Sequence, residues 1–180
     1  MLPEQESLKE EIKEQLAHIN KVIDEVRRLY HDLSPGNIED LGLTKALSTL
    51  IGDFVANRSH IACKVDLPDL NGLFSPAVET IIYRLVQEAL TNIGKHANPS
   101  SIRVAALHEE QQVCLTIEDD GKGFKVAEIL EAPGGAQGLG LVSMEERLNM
   151  VGGSFQVWSK EEEGTRLTFT IPTKSKGKGP

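Results

Sequence analysis

The decapeptide EALTNIGKHA, residues 88–97, decides how the chain is read. It closes an apolar rhythm of Val78, Ile81, Ile82, Leu85, Val86, Ala89, Leu90 and Ile93, the three-and-four spacing of an amphipathic helix. Glu88, Asn92 and His96 interrupt that rhythm at steps of four, with Lys95 beside them. Residues four apart stack on one side of a helix. A carboxylate, a carboxamide and an imidazole therefore border a stripe that a folded domain buries. Taken alone, the same column describes the solvated edge of any amphipathic helix, so the flanking sequence has to arbitrate.

Upstream, Ser75-Pro76 is a helix start, with Ser as N-cap and Pro in the first turn. Residues 38–57 carry Leu41, Leu43, Ala46, Leu47, Leu50, Ile51 and Phe54, the pattern of a second amphipathic helix, and HIACKVDL after it reads as a strand. Further upstream, Ile12, Leu16, Ile19, Ile23, Val26, Tyr30 and Leu33 follow a heptad rhythm. That predicts one long helix over 7–33 with a seam for a partner helix. SPGN, residues 34–37, ends it.

Downstream of the decapeptide, SIRVAALHE and QVCLTIEDD alternate and share a polar turn, a β-hairpin. Residues 121–140 are dotted with glycine and irregular. LVSMEERLNMVG reads as a helix ending at Gly152, and SFQVWSKEEEGTRLTFTIP as a second hairpin. Helices and antiparallel pairs do not strictly alternate. The predicted class is therefore α+β, a mixed, mostly antiparallel sheet with helices on one face, preceded by the long N-terminal helix. The expected boundaries are 1–37 for that helix, 38–173 for the main domain and 174–180 for a disordered tail.

Composition sets outer limits. The chain has 180 residues, is 39% hydrophobic and 26% charged, and carries a net charge of -8. That acidity argues against nucleic acid or an anionic membrane as partner. No apolar run approaches the ~20 residues that span a bilayer, and MLPEQESLKEE lacks the basic-then-apolar order of a signal peptide. Cys63 and Cys114 sit in strand-like runs without metal-ligand spacing. Reduced core cysteines and a cytoplasmic location are expected.

Three stretches carry chemistry. DDGKGF, residues 119–124, places Asp119 at a strand end before Gly121 and Gly123. An ionised carboxylate only accepts hydrogen bonds, so it suits the exocyclic amine of adenine and disfavours the carbonyl of guanine. The glycines admit a close approach to the backbone. GGAQGLGLVSMEERL sets Gly138 and Gly140 before a helix start, where free N–H groups and the helix dipole attract phosphates. The lone polar column then gains a purpose. The Asn92 carboxamide oxygen is a hard ligand of the kind Mg²⁺ accepts alongside water and nucleotide phosphates. Lys95 can neutralise phosphate, and Glu88 can orient a water or accept a proton. No Walker A lysine follows the glycines, and no G-x-G-x-x-G lies in a βαβ unit.

In this order the stretches resemble the ATP-binding catalytic domain of bacterial sensor histidine kinases, of the Bergerat-fold ATPase superfamily. QEALTNIGKHA resembles the N box, DDGKGF the first glycine box, GLGL the second, and Gly164-Thr165 the final glycine–threonine element. Gly140-Leu141, Met144, Glu146-Arg147 and Gly152-Gly153 match the subgroup paired with helix-turn-helix response regulators. The resemblance covers roughly residues 20–172. It implies ATP and Mg²⁺ as cofactors. Asn92 would hold the metal, and Asp119 the adenine amine. Gly121 and Gly123 would line the base pocket, and Gly138 and Gly140 flank the phosphates after a mobile lid at about 125–137. Thr165 would support the adenine contact, Lys95 and His96 would lie near the phosphates, and Glu88 would act as general base toward the phosphoacceptor histidine.

The resemblance also implies a response-regulator receiver domain as partner, and a homodimer in a full-length parent of a kind that can be membrane-anchored. One departure stands out. No stretch like the subgroup's ER-RIARELHD, which carries the phosphoacceptor, occurs in these residues. His31, in RRLYHDLSP, resembles the end of the second hairpin helix instead, and His18 faces away from the seam. The expectation is a Mg-ATP-binding piece that does not phosphorylate itself efficiently. The alternatives are another Bergerat-fold protein, such as an anti-sigma-factor serine kinase, or a degenerate docking module.

Overall fold

The computed structural model describes residues 36–131 and 139–174. The predicted helix 7–33, His18, His31, Gly138, residues 132–137 of the lid and residues 175–180 of the tail lie outside the described residues. From Ile38 onward the described residues belong to one compact unit. In chain order the described residues form α1 (Gly36–Leu41), α2 (Leu43–Ala56), β1 (Ala62–Asp66), α3 (Pro76–Asn92) continued by a π turn (Ile93–Ala97), β2 (Ser101–Glu109), β3 (Gln112–Asp119), α4 (Val126–Glu131), α5 (Leu139–Asn149), β4 (Ser154–Lys160) and β5 (Gly164–Pro172).

The five strands make one sheet in the order β1-β2-β3-β5-β4. Only β1 against β2 is parallel, and α3 lies in the crossover between them. The α+β reading and both hairpins are as the alternation predicts. Because successive side chains point to opposite faces, one face gathers Ile102, Val104, Val113, Leu115, Ile117, Leu167, Phe169 and Ile171, all buried. The other face leaves Leu107 and Trp158 exposed. The buried face joins a single core with Leu43, Leu47 and Ile51 of α2, Ile82, Leu85, Val86 and Leu90 of α3, and Met144 and Leu148 of α5. Each such aliphatic side chain contributes roughly 1.5–3 kcal/mol by leaving water. Among the described residues no helix is long and apolar enough to cross a membrane.

Local signals explain the element ends. Ser75 Oγ accepts from Val78 N at 3.4 Å, with Pro76 in the first turn, as the Ser-Pro pair predicts. The single helix expected over 38–57 is two. Gly42 breaks it at φ 76°, in the left-handed region that glycine reaches without penalty. The space its side chain would fill holds Asn71, whose Oδ1 would lie 2.5 Å from a Cβ. The same Oδ1 accepts from Thr44 N, while Leu70 N donates to Thr44 Oγ1. The loop before α3 is thereby stitched to the start of α2.

Two further boundaries differ from expectation. The stretch read as irregular from Gly121 contains α4. The last helix starts at Leu139, so Gly140 sits inside its first turn rather than ahead of it.

Candidate functional site

The polar column and the acidic turn meet in one place. Asn92 and His96 from α3 and its π turn, Asp119 from the end of β3 and Thr165 from β5 line one cavity of about 270 Å³. Its apolar walls include Ala89, Ile93, Ile117, Phe124, Leu141 and Leu167. Ligand pockets run from roughly 300 Å³ upward, so the slot is sized for a flat ring system with the rest of a ligand outside it. Mostly apolar walls with a few placed polar groups are the usual make-up of such a site.

The sheet register places those polar groups. Asp119 is paired with Thr165, and Thr165 with Ser159. The three belong to one cross-strand row on the helix-facing side of the sheet, at the end where the hydrophobic core stops. Burial, followed by repulsion from Asp120, pushes the Asp119 carboxyl above its ordinary pKa, against a hydrogen bond from Gly121 N to Oδ1 of 2.9 Å. Oδ2 remains as the acceptor for a ligand.

The helix side departs from a regular column. Residues 93–97 form a π turn, a wider turn that often marks functional sites. The strict step of four therefore fails between Asn92 and His96, yet both still reach the cavity. The turn ends at Asn98 with φ 49°, an αL stop that asparagine tolerates. The Ala97 carbonyl is then free to accept from Lys122 N at 2.8 Å. Asp120 completes the joint: its carboxylate accepts from Ser100 N, Ser100 Oγ, Ser101 N and Ser101 Oγ. Burial alone would raise its pKa, but these four donors outweigh it and bring the value to about 2.

The glycines of DGKGF face the chain's own backbone. A Cβ on Gly121 would lie 2.3 Å from the Ala97 carbonyl oxygen, and one on Gly123 1.9 Å from that of Lys160. Gly123 lines the cavity, whereas Gly121 is buried beneath the turn outside its lining. Gly140 is different: its missing Cβ leaves room for side-chain ends, Glu88 Oε1 at 2.7 Å and Asn92 Nδ2 at 3.3 Å. Glu88 and Gly140 thus adjoin the slot beside Asn92 without lining it, and Lys95 is exposed one residue from His96.

Two polar groups escaped the sequence reading. They are Asp120, which follows Asp119 directly, and Ser159, whose only signal is that it lies opposite Thr165 across the β4–β5 turn.

The fold is an α/β sandwich with an apolar slot between a helix and the end of a mostly antiparallel sheet, and one half-buried carboxylate on the slot's wall. The chain belongs to the histidine kinase-, DNA gyrase B- and HSP90-like ATPase family, whose model matches residues 77–175. ATP is the ligand that family membership brings.

Among curated relatives, the sensor histidine kinase MctS of Rhizobium johnstonii is 36% identical over 154 residues, covering 86% of this chain and 32% of its own. The signal transduction histidine-protein kinase/phosphatase DegS of Brevibacillus brevis is 34% identical over 169 residues, covering 93% and 42%. The chain therefore spans less than half the length of these relatives. Two solved structures share the fold. The ATP-binding domain of PrrB from Mycobacterium tuberculosis aligns with a TM-score of 0.58 at 20% identity, covering 73% of this chain and 94% of that one. The histidine kinase domain of a blue-light-activated kinase from Erythrobacter litoralis aligns at 0.57 and 22%, covering 73% and 59%.

Proposed function

We propose that this chain is the ATP-binding catalytic part of a two-component sensor kinase, and that its parent passes the γ-phosphoryl group of ATP to a histidine and then to a response-regulator aspartate. The reading is carried by one observation: Asn92, from the end of a helix, and Asp119, from the end of a strand, wall the same slot.

In this reading the base enters the slot and its exocyclic amine donates to Asp119 Oδ2. The phosphates extend toward Asn92, Lys95, His96 and the first turn of α5 at Gly140, with Gly138 just ahead. Glu88, beside Gly140, acts as general base toward the incoming phosphoacceptor imidazole. Residues 125–137 act as the lid. Phosphoryl transfer needs positioning and charge neutralisation more than covalent help, and these residues serve those ends.

Mg²⁺ fits the donor set. Among the described residues no cluster of three His, Cys, Asp or Glu could hold a metal alone. A cation shared between one carboxamide oxygen, water and phosphate asks for no such cage. Asn92 would be its protein ligand, and the cation would supply phosphate charge neutralisation. Residues 1–37 are assigned to the second helix of a dimerisation hairpin, residues 38–173 to the catalytic domain, and the parent to a homodimer that docks a receiver domain. The 180-residue chain is expected not to phosphorylate itself efficiently.

Calorimetric titration with ATP, with and without Mg²⁺, tests the site. The wild type should bind, Asn92→Ala should lose most of the Mg²⁺ enhancement, and Asp119→Asn should lose adenine selectivity by about tenfold, the worth of one charged hydrogen bond. Unchanged ATP affinity in both variants places the pocket elsewhere.

A further inference from the structure

Ser159 sits at a junction of three segments. Its Oγ receives the Phe124 N–H at 2.9 Å, lies 3.0 Å from the Gly164 carbonyl oxygen, and lies 3.0 Å from Thr165 Oγ1. Phe124 closes the acidic turn, and Gly164 and Thr165 open β5. One hydroxyl therefore ties together both sequence elements that wall the base slot.

The protons in this junction can be assigned by counting. A serine hydroxyl has one proton and two acceptor sites. The Phe124 N–H can only donate, so it uses one acceptor site. The Gly164 carbonyl can only accept. An oxygen–oxygen distance of 3.0 Å with no proton between the atoms would be repulsive, so the Ser159 proton goes to Gly164. The remaining contact, to Thr165, then needs the threonine's proton. Thr165 donates to Ser159, and all three bonding positions of Ser159 are filled. Thr165 lines the cavity, and its Oγ1 keeps only lone pairs for any further partner.

The consequence falls on Asp119. It lies directly across the ladder from Thr165, and both line the cavity. Side chains so paired have Cβ atoms about 4.5–5.5 Å apart. A threonine hydroxyl beside a half-buried carboxylate is a natural donor to it, and such a bond would compete with a ligand for the carboxylate. We propose that Ser159 is a positioning residue that withholds the Thr165 proton from Asp119, keeping the carboxylate and the threonine oxygen as two adjacent acceptors that select a purine bearing an exocyclic amine. The inference rests on the nucleotide-site reading above for its ligand, and on geometry alone for its proton order.

The test uses the whole 180-residue chain and two readouts. In the ligand-free protein, NMR titration follows the Asp119 carboxyl. Ser159→Ala frees the Thr165 hydroxyl to turn onto Asp119, so the Asp119 pKa should fall. Ser159→Thr keeps a hydroxyl in place and should leave it unchanged. In binding, Ser159→Ala should weaken Mg-ATP by roughly 5–10-fold, as expected for one lost charged hydrogen bond. Mg-ITP, which carries a carbonyl in place of the amine, should change by less than about twofold on the same reasoning.

An equal loss for both nucleotides, or an unmoved Asp119 titration, overturns the assignment, because simple loosening of the loop would produce those results. A lowered Asp119 pKa in a protein whose wild type binds no nucleotide would overturn the nucleotide reading and keep the proton order. Should Ser159→Ala fail to fold, Ser159→Cys carries the same expectations, since a thiol is only a weak donor and acceptor.

Discussion

Gly140→Ala is the substitution that best separates function from folding in this domain. Gly140 occupies the first turn of α5, and alanine is the better helix former by up to about 1 kcal/mol. The new Cβ would stand 2.7 Å from Glu88 Oε1 and 3.3 Å from Asn92 Nδ2. Ordinary contact begins at 3.4 Å, so the Glu88 carboxylate must retreat by about 0.7 Å, the difference between those two distances. Glu88 is the flexible end of a half-buried side chain, so retreat costs little stability. Under the proposed general-base role of Glu88 a shift of that size matters for chemistry, because misplacement by ~1 Å can cost on the order of 100-fold in rate.

The expected result is a Tm equal to or a few degrees above wild type, together with Mg-ATP binding weakened by roughly tenfold as the displaced Glu88 carboxylate crowds Asn92 and the proposed phosphate space. Thermal unfolding and calorimetry on the same samples would read both. A double-mutant cycle sharpens the point. In a Glu88→Ala background the new methyl group has no carboxylate to displace, so most of the binding loss should vanish. Unchanged affinity in the single variant, or an equal loss in both backgrounds, would refute the idea that Gly140 is small for the sake of Glu88.

Other perturbations probe the frame. Asp120→Asn should destabilise the domain by about 1 kcal/mol at pH 7, after discounting for its exposed position. The folded pKa of about 2 lies below the ~3.9 of an unfolded chain. The stabilisation is therefore whole above about pH 4 and drains as pH falls toward 2, so urea unfolding at pH 7 and pH 3 should show the gap between wild type and variant shrinking at the lower pH. Gly123→Ala should cost more than about 2 kcal/mol, since φ is 59° and the Cβ would lie 1.9 Å from the Lys160 carbonyl. Gly52→Ala, with open space around it in the middle of α2, is the control and should gain about 0.5–1 kcal/mol; a similar effect at both positions in urea denaturation would contradict the packing argument.

The sequence made the strands visible because alternation survives wherever one face is buried. Val113, Leu115 and Ile117 point inward while Cys114 and Thr116 between them do not. It also made Asn92 and Asp119 visible, because polar residues on apolar elements stand out. What stayed hidden has no one-dimensional signature. Gly42 sits inside a stretch whose apolar spacing continues through it, and only Asn71, far along the chain, reveals the break. A π turn leaves the same residue types in the same order as an α turn. Gly121 and Gly123 read as room for a ligand, yet their empty positions face Ala97 and Lys160. A glycine announces that something comes close without saying what. Ser159 was invisible because its partners come from three segments that meet only through the sheet register.

That register also explains why the site is where it is. Toward the end of the sheet, Ile117, Leu167 and Val157 form the last apolar cross-strand row on the helix-facing side. The next row is Asp119, Thr165 and Ser159. Even a half-buried row of hydroxyls and a carboxylate is costly unless its groups are paired. Here the backbone of the acidic turn and of the β5 start pairs them: Gly121 N with Asp119, Phe124 N and the Gly164 carbonyl with Ser159. The close backbone approaches at Gly121, Gly123 and Gly164 let those turns draw near enough to do so. The turn glycines and the polar row are thus one device. The glycines bring backbone donors and acceptors onto the row, the row is satisfied internally except at Asp119 Oδ2 and Thr165 Oγ1, and those two unspent acceptors are what the slot offers a ligand.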